Sequence, residues 1–176
     1  MDIAVMVKSA VGSILDRDLD ALRREVEAYA DEAELWRTVP GITNPGGTLV
    51  LHLAGNLQHY FGARLGHTGY IRNRPAEFSR RDVPRTELLQ EIEAARSAVK
   101  AGLSQLSAAE LTGEYPDTIA GARLATGEYL MHLTTHFAYH LGQLDYHRRA
   151  VTGNQTVVGA MRPVDLSSAR SAPVEA

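Results

Sequence analysis

The chain has 176 residues, enough for one domain with a substantial hydrophobic core. Its 44% hydrophobic and 22% charged residues are typical of a globular protein and exclude a disordered or fibrous chain. The net charge of −3 argues against nucleic acid as the main partner, because binding to phosphates favours a basic surface. With no cysteine in the chain, disulfides, thiolate metal ligands and a cysteine nucleophile are excluded. Any metal must therefore be held by nitrogen and oxygen atoms.

The N-terminal segment 1–12 lacks the basic region and the longer apolar run of a secretory signal. No stretch of the sequence approaches the roughly 18 consecutive apolar residues that indicate a membrane span. The sequence therefore predicts a cytoplasmic protein without a membrane partner.

Apolar residues recur at steps of three and four in four segments, which predicts helices at about 3–29, 48–65, 85–106 and 124–151. The second helix is apolar on more than one side, as expected in the interior of a bundle. The connection 66–84 is far longer than an antiparallel hairpin of helices requires, so we interpret it as a crossover. No alternation typical of strands persists. We predict an all-α fold, a four-helix bundle with a long crossover between helices 2 and 3.

The bundle is predicted to span residues 1–153 as a single domain. Residues 154–176 show no apolar periodicity and follow Gly153, a residue type that commonly ends helices. We expect this C-terminal tail to be extended or partly disordered.

Histidines mark one face of the fourth predicted helix. His132, His136 and His140 are four residues apart and fall within roughly 80° of the helix circumference. Two imidazoles four residues apart can bind one metal ion, and a third ligand must then come from a facing helix. The second helix offers His52 and His59, which lie about 10 Å apart along its axis, so both cannot easily bind the same ion. The alternative is a metal-free bundle whose histidines are hydrogen-bonded core residues.

Two segments carry a resemblance to a known family. Residues 136–143, HFAYHLGQ, resemble the fourth-helix H-x-x-x-H-x-G-Q motif of the DinB/YfiT-like four-helix-bundle metalloenzymes, and residues 51–57, LHLAGNL, are similar to their second-helix segment. The segment 72–78, RNRPAEF, also resembles a subgroup of members, and the likeness covers about residues 5–152. Where the common motif has arginine after the second histidine, this chain has Leu141.

The resemblance implies that His52, His136 and His140 bind one divalent metal ion. Three neutral imidazoles favour zinc or nickel, and iron and manganese also stay open. Three protein ligands leave a coordination position free, as in catalytic rather than purely structural sites.

Relatives in this superfamily include thiol-dependent transferases and isomerases. The resemblance thus implies a metal-dependent enzyme acting on a small-molecule substrate, either a low-molecular-weight-thiol S-transferase or a hydrolase. Because the chain lacks cysteine, the thiol would come from a cosubstrate. The alternative is a non-catalytic metal-binding or stress-associated protein. A homodimer is a further expectation from the family.

Other polar residues of the two motif helices have two interpretations each. Asn56 and Gln143 either orient a ligand or form hydrogen bonds between helices. Tyr129 and Tyr139 are interpreted as core aromatic residues, with proton donors as the alternative. The arginines of the crossover 66–84 are interpreted as solvated, with recognition of an anionic substrate as the alternative. His147, near the helix end, is expected at the surface.

Overall fold

The structure, a computed structural model, describes residues 2–171 and is all-α without strands over this range. Its helices are α1 (Ile3–Glu27), α2 (Gly46–Leu57), α3 (Arg74–Ser79), α4 (Arg85–Gln105), α5 (Ala108–Thr112) and α6 (Thr126–Thr152). The four long helices form the bundle, in which both α1 and α2 pack against α4 and α6. The predicted fold class is confirmed. Within the same range, no helix is long and apolar enough to cross a bilayer.

Helix α1 begins at a side-chain cap and buries one apolar stripe. The Asp2 carboxylate accepts a hydrogen bond from the backbone N–H of Ala4 at 3.0 Å, satisfying a donor of the first turn. The stripe that faces the core consists of Val11, Leu15, Leu19, Leu22 and Val26. These are the residues whose spacing predicts the helix.

Helix α2 lies in the centre of the bundle, with all twelve residues buried. It continues into a π-helical turn, Gln58–Ala63, so the helical segment ends close to the predicted end. Gly62 in this turn packs against α4, since a Cβ placed on it would lie 2.9 Å from the Cβ of Ala98. The π turn itself is not predicted by the sequence pattern.

The crossover between α2 and α4 contains a short helix that the periodicity does not reveal. The Asn73 side chain accepts a hydrogen bond from the backbone N–H of Ala76 at 3.2 Å and so starts α3. Pro75 in the first turn suits this position because its missing N–H would have no partner there. Because α3 packs against α2, the crossover brings side chains to the centre of the bundle.

Helix α6 ends at Gly153, whose φ of +68° is the left-handed conformation of a helix C-cap. The following residues, 154–171, contain one 3-10 turn and lie against the bundle. Arg24 of α1, for example, donates a hydrogen bond to the carbonyl of Val158 at 2.7 Å. The division of the chain at residue 153 stays a prediction, and the last part of the predicted tail, 172–176, lies outside the described residues.

Two helical glycines allow a matched test of packing. Gly142 in α6 has no atom within 4 Å of the position of a Cβ, whereas a Cβ on Gly55 in α2 would lie 3.0 Å from the Glu77 Cδ. We predict that Gly142→Ala raises the free energy of unfolding by about 0.5–1 kcal/mol through helix propensity. Gly55→Ala should lower it, because overpacking costs about 1–3 kcal/mol. Chemical denaturation of both variants checks the prediction, and an equal increase in the free energy of unfolding in both would contradict the close packing at Gly55.

Candidate metal centre

Three histidines from two helices converge at the centre of the bundle. His52 comes from α2, and His136 and His140 lie one turn apart on α6. Each offers one nitrogen, and the three atoms lie within 4.8 Å of one another. The Nε2 atoms of His52 and His136 are 3.4 Å apart. Two nitrogens held about 2.0–2.1 Å from one tetrahedral ion are separated by about 3.3–3.4 Å. This histidine triad can therefore hold a metal ion.

The imidazole of His52 is positioned by a buried carboxylate. Its Nδ1 donates a hydrogen bond to the Glu77 Oε2 at 3.0 Å, and Glu77 is only 6% exposed. Arg72 in turn donates to both oxygens of Glu77, at 2.7 Å from Nε and 2.9 Å from Nη2. With the proton on Nδ1, the lone pair of His52 is on Nε2, which faces His136.

Opposing effects set the pKa of Glu77. Burial by itself raises the pKa of this carboxyl, but the hydrogen bonds from His52 and Arg72 and the charge of Arg72 outweigh burial and hold the pKa below its usual value. Glu77 is therefore a carboxylate at neutral pH, which fixes the proton of His52 on Nδ1.

The two histidines of α6 also present lone pairs towards the triad. The Nδ1 of His140 donates to the Oε1 of Gln143 at 2.7 Å, which leaves its Nε2 free as a ligand. Gln143 thus orients a proposed ligand, one of the two roles expected of it. Burial, followed by the proximity of His140 and His52, lowers the pKa of His136 to about 4. At neutral pH this imidazole is uncharged, the form that binds metals.

A cavity of about 430 Å³ opens onto the triad. Besides the triad it is lined by Asn44, Leu49, Asn56, Tyr60, Arg72, Arg74, Phe78, Ile119, Tyr129, His132 and Leu133. The guanidinium of Arg72 lies 5.5 Å from the centre of the Tyr60 ring, and that of Arg74 lies 5.0 Å from the Phe78 ring. Two arginines line this cavity; Arg72 is paired with Glu77, and the positive charge of Arg74 favours ligands with negative charge.

Comparison with known proteins identifies the family. The sequence profile described as Mycothiol-S-transferase matches residues 10–153, which is most of the chain. The chain belongs to this family. The comparisons found no match among curated proteins and none among solved structures.

The mycothiol S-transferase family lies within the DinB/YfiT-like superfamily, so the resemblance predicted from the two helix motifs is confirmed. The family implies a thiol, mycothiol, as a substrate.

The other histidines of the two helices lie outside the triad. His132 lines the cavity one turn before His136, with their ring centres 6.2 Å apart. His59 is turned towards Asp117, with 3.6 Å between its Nε2 and the carboxylate. Of the two candidates on the second helix, His52 is the one that joins the α6 pair.

His147 corrects an expectation, because it is fully buried rather than at the surface. The hydroxyl of Tyr29 lies 2.7 Å from its Nδ1, and its Nε2 donates to the carbonyl of Arg37 at 2.9 Å. Both partners come from the segment between α1 and α2, which covers the end of α6. Both ring nitrogens are satisfied, so His147 is a hydrogen-bonded core residue.

Sequence reasoning missed the role of Glu77 and of Arg72. The crossover arginines are predicted to be solvated, but Arg72 is largely buried and binds Glu77. The one sequence signal was that the segment 72–78 resembles a subgroup of the DinB/YfiT-like family, but this likeness assigns no role to its residues. Its one acidic residue, Glu77, is the side chain that reaches the triad.

The lowered pKa of His136 leads to a prediction for the metal-free protein. We expect the His136 imidazole to take up a proton only as the pH falls to about 4, well below its ordinary value of 6.5. The unfolded chain binds this proton first, so the contribution of His136 to stability is present above pH 6.5 and is lost as the pH falls towards 4. NMR titration of chelator-treated protein, with His136→Gln to assign the resonance, checks this. A midpoint near 6.5 would mean that the imidazole is solvated.

Proposed function

We propose that the protein is a metal-dependent S-transferase that joins the thiol of mycothiol to an electrophilic small molecule. His52, His136 and His140 would hold the single divalent ion. The observation that carries the proposal is the convergence of three imidazoles beside a cavity, in a chain of the mycothiol S-transferase family.

The nitrogen donors suit zinc or nickel. All three imidazoles can present a lone pair, because Nδ1–H of His52 and of His140 is held by a hydrogen bond and a low pKa keeps His136 uncharged at neutral pH. Nitrogen ligands of this kind are typical of zinc and nickel sites, and iron also accepts them. Three protein ligands leave room for an exogenous one.

When bound, the ion would lower the pKa of a coordinated thiol, producing the thiolate that attacks an electrophile. The chain has no cysteine, so that thiol must come from the substrate. The thiol would release its proton to solvent, its sulfur would form a bond to the electrophilic carbon, and the leaving group would depart with its electron pair.

The residues of the cavity prepare it for this reaction. Glu77 and Gln143 hold two imidazoles in orientation. Arg74 supplies positive charge beside the developing negative charge of a leaving group or the acid group of an electrophile. Burial raises the pKa of Tyr129, so its hydroxyl stays protonated and can donate a hydrogen bond.

Metal content is the first test. We expect about one zinc or nickel ion per chain in untagged protein, and loss of the ion in His136→Ala because two imidazoles remain of the three. The control is His59→Ala, which removes a histidine from the π-helical turn that follows α2, where it faces Asp117 instead of the triad. Absence of metal in the wild type after reconstitution, or equal metal in His136→Ala, would refute the proposed site.

Turnover tests the reaction itself. The metal-loaded wild type should conjugate mycothiol to a fluorogenic haloalkane, and His136→Ala should lose at least about 100-fold in kcat/KM, as expected when the catalytic ion is absent. Turnover unaffected by that substitution would contradict a metal-dependent transferase. A bound ion whose removal lowers the melting temperature, without turnover of any thiol, would instead favour the non-catalytic alternative.

Glu77 provides a test of how the proposed ligand is positioned. Glu77→Gln keeps the shape of the side chain but removes the charge that fixes His52, and we predict a metal affinity about 10–100-fold weaker. The control is Glu87→Gln, because Glu87 pairs with Arg80 at the surface. Competition with a chelator measures both affinities. Equal affinities in the two variants would show that Glu77 does not support metal binding.

A further inference from the structure

A second cavity, of about 440 Å³, lies beside the triad on the outer side of α6. We call it the aromatic cleft; it is lined by Gly41, Ile42, Thr43, Asn44, Leu49, Tyr139, His140, Gln143 and Tyr146. It shares Asn44, Leu49 and His140 with the arginine-lined cavity described above. The two cavities therefore meet at a proposed metal ligand.

Two tyrosines give the aromatic cleft its character. Tyr139 and Tyr146 are seven residues apart on α6, so they lie on one face of the helix about 10 Å apart. Their exposed fractions are 65% and 74%, unusual for large rings that could be buried. The interpretation of Tyr139 as a core residue is therefore wrong: its ring is exposed to solvent, and its centre lies 5.2 Å from that of the His140 ring. Exposed rings at the rim of a cavity are typical of a binding surface.

The polar groups of the cleft are neutral. Gln143 uses its Oε1 to accept from His140, which leaves its amide N–H groups available as donors. Asn44 and Thr43 add a further amide and a hydroxyl. None of the residues lining the cleft is an acid, a lysine or an arginine. The arginine-lined cavity differs in this respect, since Arg74 gives it positive charge while Arg72 is paired with Glu77.

Aromatic rings combined with neutral amides and hydroxyls suit a sugar. The rings pack against the apolar C–H faces of a sugar ring, and the amides and hydroxyls form hydrogen bonds with its hydroxyl groups. In mycothiol, an amide joins the cysteine to two linked, uncharged rings that carry many hydroxyl groups. An anionic ligand finds no arginine or lysine in the aromatic cleft, whereas the neighbouring cavity supplies Arg74.

We propose that the aromatic cleft binds the sugar part of the thiol substrate, with Tyr139 and Tyr146 as the stacking surfaces and Gln143 as a hydrogen-bond donor. This assignment rests on the proposed function for the identity of the thiol. It places the thiol end at His140 and leaves the arginine-lined cavity for the electrophile. Gln143 then has two tasks, to orient His140 and to contact the sugar.

The direct test is binding of the sugar without its thiol. Calorimetry with the N-acetylglucosaminyl-inositol fragment, which keeps the amide and is uncharged, measures the affinity of the cleft independently of metal and turnover. The double variant Tyr139→Ala/Tyr146→Ala should bind this fragment at least about tenfold more weakly, as expected for the loss of two ring contacts. The corresponding double phenylalanine variant keeps both rings and should retain most of the affinity. Met131→Ala is the control, because Met131 is 52% exposed on the same helix but lines neither cavity.

Kinetics provide the second readout. The preference of the wild type for mycothiol over N-acetylcysteine, as a ratio of kcat/KM values, should fall about tenfold in the double alanine variant and stay the same in Met131→Ala. The fall should come from a higher KM for mycothiol with the KM for the electrophile little changed. A parallel rise in both KM values would place the tyrosines in the electrophile site and overturn the assignment.

The outcomes separate this inference from the proposed function. Fragment binding that depends on the two tyrosines, in a protein without transferase activity, supports the aromatic cleft as a sugar site and refutes the transferase. Transferase activity with no tyrosine-dependent preference for mycothiol supports the transferase and refutes the sugar site. If the double alanine variant converts a dimer to a monomer in sedimentation while fragment binding is absent, the cleft is an interface between copies of the chain, and the inference is wrong.

Discussion

A buried carboxylate, Glu77, connects the crossover to the centre of the bundle, and the geometry of the candidate site depends on it. Burying a carboxylate and a guanidinium is costly unless both are well paired, because each loses its hydration. Here Arg72 binds both oxygens of Glu77, and one of these oxygens also accepts from His52. The negative charge of the buried Glu77 carboxylate is thereby neutralised, and the Nδ1 of His52 is held as a hydrogen-bond donor to it. Gly55 contributes by its lack of a side chain, since a Cβ there would overlap the Glu77 carboxylate.

The triad is built from one rigid pair and one adjustable member. The spacing of His136 and His140 along α6 follows from helix geometry alone and requires no outside support. His52 must be brought to them from α2, a helix buried along its whole length. Its imidazole is fixed by α3, and Phe78 of the same short helix packs its ring 5.0 Å from the imidazole. The crossover therefore has a structural task that its polar sequence does not suggest.

Periodic features of this chain could be predicted from the sequence, and features that depend on contacts between distant segments could not. The four long helices follow from apolar spacing, and the α6 histidines share a face for the same reason. The choice of His52 over His59 came from the resemblance, because spacing places both on the second helix. The structure shows why they differ: the side chain of His59 faces Asp117. No periodic pattern predicts the role of Glu77, because the crossover brings it to His52 only in the folded chain. The same holds for the burial of His147, whose partners lie more than a hundred positions away.

The charge balance of the site explains why Arg72 accompanies Glu77. Three imidazoles are neutral ligands, so an ion held by them keeps its positive charge for acidifying a thiol. An unpaired carboxylate beside His52 would offset part of that charge. The guanidinium of Arg72 neutralises the charge of Glu77, and the hydrogen bond between Glu77 and His52 is kept. The crossover thus orients a proposed ligand without adding net negative charge, and Arg74, which has no carboxylate partner among residues 2–171, adds positive charge at the same cavity. In this arrangement the bundle supplies the donor atoms, and the connection between two of its helices sets the electrostatics in which a thiolate would react.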